Sequence, residues 1–125
     1  MGSARRVAWV KTHVGSRDAA RRLASAVLRE RLAACANLET IESDYRWRGR
    51  IVRAREVAVT MKTAPRRVAA LVEAVERLHP YEVPYIAWGE ETVPQPYASW
   101  ANAETAGRRG RPSPAPRRRA PHRTR

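Results

Sequence analysis

Phenylalanine is absent from the 125 residues, cysteine occurs once, and lysine occurs only as Lys11 and Lys62. Each shortage removes a class of explanation. With Cys35 alone, no disulfide can form within the chain, so the fold must stand on its core. No apolar run approaches the roughly 20 residues of a membrane-spanning helix. The N-terminal run Val7-Ala8-Trp9-Val10 stops at Lys11, too short for a secretory signal, so a cytoplasmic protein is expected despite the Arg5-Arg6 pair. The six glycines are scattered and form no phosphate-cradling loop. No serine sits in a nucleophile elbow, and Cys35 has no basic neighbour that would make it a reactive thiolate. The expected protein is therefore not an enzyme.

Charge is plentiful but uneven. Residues 107–125 carry eight arginines and no acid, and removing those eight from the chain's +13 leaves +5 on residues 1–106. The last segment is Pro, Arg, Gly, Ser and Ala with almost nothing to bury, so it reads as a disordered tail. Eight arginines could neutralise phosphates, but no aromatic is interleaved among them for base stacking. Nucleic acid is thus expected as a partner only through that tail. Residues 1–106 are one domain with a modest core.

Periodicity lays out the elements. Val7 to Val10 reads as a buried strand. Ser16 is the candidate N-cap of a helix whose apolar face is Ala20, Leu23, Ala24, Val27 and Leu28. The small residues Ala33 to Ala36, with Cys35 among them, read as a helix end packed on a sheet. From Ile41 the period becomes two: Ile41, Ser43, Tyr45 and Trp47 share one strand face, and Glu42, Asp44, Arg46 and Arg48 the other. Gly49 turns the chain, and Val57, Val59 and Met61 alternate on the way back. This hairpin is too long for one small domain and is expected to reach a partner subunit. Pro65 opens a second helix with Val68, Leu71, Val72, Val75 and Leu78 on one face. Tyr85 to Trp88 is the fourth strand, and a short helix follows at about Tyr97 to Thr105. The order β-α-β-β-α-β is the split βαβ, ferredoxin-like arrangement, an α/β (α+β) fold.

The most site-like stretch is His79-Pro80-Tyr81-Glu82-Val83-Pro84. Its prolines fix φ and push His79 and Val83 into extended geometry, so no helix passes through. A stiff corner results, carrying an imidazole, a phenol and a carboxylate. Metal binding needs such groups to converge, and the candidates are His79, His13 and Glu82, with Glu56 and Cys35 behind them. In a ferredoxin-like fold the end of the first strand, with His13, approaches the end of the second helix, with His79. Cys35 reads as a small buried residue.

The same stretch resembles the hallmark of the CutA family of divalent-cation tolerance proteins. Arg31 to Asn37, Tyr45 to Ile51 around Trp47 and Gly49, Glu56 followed by Met61-Lys62-Thr63, and Tyr97-Ala98-Ser99-Trp100 resemble further family blocks, in family order, over about residues 5–106. The resemblance implies a homotrimer of ferredoxin-like subunits that acts in copper or other divalent-ion tolerance without catalysis. It implies that Trp47, Glu56, Lys62 and Tyr81 lie at an intersubunit cleft or interface. Trp47 at the hairpin tip suits an interface anchor. The cofactor it implies is at most weakly bound Cu²⁺ or a similar cation. The chain departs from the family pattern at Lys11, Leu78 and Tyr85, which depletes the ligands of any ion site. The alternative is a PII-like trimeric sensor of a small ligand or a partner protein.

Overall fold

A computed structural model of the protein describes residues 4–107. The expected disordered tail lies outside the described residues, apart from Gly107. Four strands and three helices run in the order β1 (Ala4–Val14), α1 (Arg17–Arg29), β2 (Cys35–Trp47), β3 (Arg50–Thr63), α2 (Val68–Leu78), β4 (Ile86–Pro94) and α3 (Gln95–Glu104), with a 3₁₀ turn at Pro65–Arg67 before α2. The strands form one antiparallel sheet in the order β2-β3-β1-β4. This is the ferredoxin-like order expected from periodicity. Among the described residues no helix is long and apolar enough to cross a membrane.

The register sorts the side chains onto two faces. Val10, Val14, Val57, Val59 and Met61 point towards α1 and α2 and meet Leu23, Val27, Leu71 and Val75 in the core. Helix α1 begins where Ser16, in extended geometry, accepts a hydrogen bond from the Ala19 N–H at 3.1 Å. The opposite sheet face carries Val7, Trp9, Lys11 and His13 from β1, and Glu56, Ala58, Thr60 and Lys62 from β3. Helix α3 covers only one end of it. Its C-terminal part is tied to the helical side by Arg31 Nη2 to the Ala103 carbonyl and by Arg66 to Asn102.

Four details differ from the sequence reading. Leu28 is 41 % exposed rather than core, because the apolar arc of α1 ends at Val27. Cys35 is not in a helix end: α1 stops at Arg29, Arg31 takes φ +58°, and Cys35 opens β2 half-buried rather than buried. Strand β1 starts at Ala4 rather than Val7. Strand β4 begins after Tyr85 and continues to Pro94. Gly89 is needed inside it because the Trp9 ring lies across it; an added Cβ would stand 2.7 Å from Trp9 Cζ2.

Candidate functional site

The stiff His-Pro corner folds back onto the C-terminal end of β1. There it closes a polar cluster built on a buried carboxylate. Glu56 is 2 % exposed and Tyr81 1 %. The Tyr81 hydroxyl donates to Glu56 Oε2 at 3.0 Å, and His13 Nδ1 stands 3.9 Å from Glu56 Oε1. Burial, and then the Glu56 charge and the hydrogen bond to it, push the Tyr81 phenol far above its usual pKa. Tyr45 feels the same charge: burial first and Glu56 second raise its phenol.

His79 ties this corner to β1. The Tyr81 backbone N–H donates to His79 Nδ1 at 3.1 Å. A nitrogen that accepts carries no proton, so the hydrogen sits on Nε2, which donates to the His13 carbonyl at 2.9 Å. Both ring nitrogens of His79 are therefore engaged, and an ion would have to displace one of these bonds. Ring contacts add to the closure, with centroids 4.8 Å apart for His79 and Tyr81 and 4.6 Å for His13 and Tyr85. Thr12, fully buried, donates to the Tyr85 carbonyl at 2.6 Å.

The expected approach of His13 and His79 is met, but through a backbone carbonyl rather than by two converging imidazoles. The pair that brings metal-type donors together is His13 and Glu56. Glu82 is exposed on the turn after the corner. Among the described residues no three His, Cys, Asp or Glu side chains stand together as an ion site.

Lys62 belongs to a second cluster. It lies six residues along β3 from Glu56, so about 20 Å away. Its Nζ reaches Glu91 Oε2 at 2.6 Å, and that hydrogen bond raises its pKa against the opposing effect of burial. Tyr97 and Cys35 lie close enough to be felt electrostatically. Sequence reasoning missed Glu91 because it ended the fourth strand at Trp88, whereas β4 runs on to Pro94. Trp47 ends β2 half-buried, with the Arg48 guanidinium 5.1 Å from its ring centroid.

Residues 8–104 match the family model described as CutA1 divalent ion tolerance protein. The chain is 43 % identical over 74 residues to the divalent-cation tolerance protein CutA of Thermus thermophilus, covering 58 % of this chain and 72 % of that one. The structure of CutA from Synechococcus elongatus superposes with a TM-score of 0.78 at 28 % identity, covering 82 % of this chain and 96 % of that one. A structure described as the PII-like protein CutA from Nostoc, in apo form, superposes at 0.73 and 26 % identity, over 78 % and 96 % of the two chains.

Proposed function

We propose, from the premise that this chain belongs to the CutA1 divalent ion tolerance family, that it acts in the cytoplasm as a non-catalytic homotrimer that binds a divalent ion weakly, copper being the natural candidate. The observation that carries the ion reading is the pairing of His13 with Glu56. An ion arriving from the quarter-exposed His13 side meets an imidazole first and the buried carboxylate behind it. Imidazole and carboxylate oxygen both suit Cu²⁺. A carboxylate behind a ligating histidine orients the ring and raises its basicity. One chain offers two such donors, which fits a weak site completed by water or by a second subunit. His79 is then a positioning residue that fixes the backbone at His13, and Tyr81 holds Glu56 in place. Trp47, Lys62 and the uncovered sheet face serve subunit contact.

Calorimetric titration of Cu²⁺ into the metal-free protein, in a His122→Ala background that removes the tail imidazole, tests this. Saturable heat that is lost in His13→Ala supports the site. Saturable heat unchanged by His13→Ala, or none at all, overturns it. The second reading is a PII-like sensor, favoured by the long β2–β3 hairpin and by the likeness to a structure described as PII-like. Recovery of one small molecule or partner protein with the trimer, without metal dependence, would select that reading. Tail-driven nucleic-acid binding would instead appear as retention on DNA that disappears when residues 107–125 are deleted.

A further inference from the structure

At the end of the sheet opposite His13, a cleft opens between the start of β1, the Ala64-Pro65 turn and α3. It holds about 220 Å³ and is lined by Arg5, Arg6, Val7, Ala64, Pro65, Ala98, Ser99 and Asn102. Its floor is apolar, since Val7 and Ala64 are buried. Its polar groups are donors. Arg6 turns its guanidinium onto β4, with Nε on Glu90 at 2.8 Å and Nη1 on Thr92 Oγ1 at 3.2 Å. Asn102 Oδ1 accepts from Arg66 Nε at 3.2 Å, and this turns the Asn102 amide so that its NH₂ is the group left to give. Ser99 adds a hydroxyl. Arg5 makes no ion pair among the described residues. No carboxylate is among the described lining residues, and Glu90 beside them is paired with Arg6, so Arg5 and Arg66 leave the rim with a surplus of positive charge.

We propose that this cleft binds a phosphate group, free or as a small monoester. A surplus of cation beside a hydroxyl and an amide that can donate favours an anion. A carboxylate is planar and is satisfied by one guanidinium fork. A guanidinium on the strand, a hydroxyl and an amide on the helix approach from different sides, which suits a tetrahedral oxyanion. The chain's own tail is no rival by charge, because residues 107–125 contain no acid. The site is separate from the His13–Glu56 cluster, so it stands or falls independently of the ion reading.

Inorganic phosphate, titrated into the ¹⁵N-labelled full chain at constant ionic strength, provides the test. Saturable shifts of the Ser99 and Asn102 amides are expected. Arg5→Gln should weaken the apparent affinity by roughly tenfold, and Ser99→Ala should weaken it too. A variant with Arg117, Arg118 and Arg119 all changed to Gln removes more charge but should bind as the parent does. A small organic monoester in place of phosphate should shift the same amides. No saturable shift at Ser99 and Asn102, shifts unchanged by Arg5→Gln, or binding that follows the tail arginines would each overturn the proposal.

Discussion

A buried carboxylate keeps its charge only where neighbours replace the water it has lost. For Glu56 the Tyr81 hydroxyl at 3.0 Å is one such replacement, while the His13 imidazole stands 3.9 Å from the other oxygen. Tyr81→Phe removes a charge-assisted hydrogen bond without changing the shape of the ring. It should destabilise the protein by about 1–3 kcal/mol in denaturant unfolding at neutral pH. The pH dependence has a definite sign. The Tyr81 phenol is raised in the folded state, by burial first and by Glu56 second, so the unfolded chain ionises first as pH climbs. The bond's contribution is whole below the unfolded pKa near 10 and is lost above it, at up to about 1.4 kcal/mol per pH unit for one group. Lys62, raised by Glu91, works in the same direction, since its contribution is also lost as pH rises past the unfolded lysine value. Stability measured between pH 8 and pH 11 should therefore fall at the alkaline end, and Tyr81→Phe should flatten that fall. An unchanged slope in Tyr81→Phe would assign it elsewhere. The meeting of His13 with His79 was legible from topology alone. The tautomer of His79 was not, because it depends on the Tyr81 backbone N–H donating to Nδ1.

At the scale of elements, the β2–β3 hairpin is held by two left-handed residues in succession, Arg48 at φ +54° and Gly49 at φ +77°. That pair is a type I′ turn, whose twist matches the flanking strands. Nothing stands within 4 Å of an added Cβ at Gly49, so Gly49→Ala meets backbone strain and no clash. It should cost about 1 kcal/mol. Arg48→Asn places a residue that tolerates the left-handed region and should stabilise by a few tenths of a kcal/mol, after loss of the Arg48–Trp47 contact. Thermal unfolding of the two variants should move in opposite directions, and a shared direction would refute the turn assignment. The hairpin was readable because its alternation and its glycine agree. Strand β4 was readable only at its apolar start. Beyond Trp88 its side chains alternate between exposed and half-buried, and the Gly-Glu-Glu run hides a strand whose glycine is set by Trp9 rather than by a turn. Cys35 misled for a similar reason: three alanines carry helix propensity, but Arg31 at φ +58° has already ended the helical path.

For the whole molecule, the question is what covers the second face of the sheet. Helices α1 and α2 close one face, while α3 reaches only the Val7 end of the other. The remainder presents Trp9, Lys11, Thr60 and Lys62, half-buried within a single chain. Three copies would bring together +13 each, so long-range electrostatics oppose assembly. A trimer must then be held by contact surface, in which a large aromatic side chain carries a disproportionate share. Two results follow for sedimentation of the full chain. The parent should run at three times 14.1 kDa, and added salt should leave the trimer intact or tighten it by screening the repulsion. Trp9→Glu should drop the mass towards the single chain, because it places a charge where the uncovered face meets its partner. The Trp9 ring also packs on Gly89, so circular dichroism of the variant should first establish that the sheet persists. A folded Trp9→Glu that stays trimeric would move the interface off this face. A parent that runs at the single-chain mass would remove the trimer altogether, and with it any second subunit to complete the His13–Glu56 site.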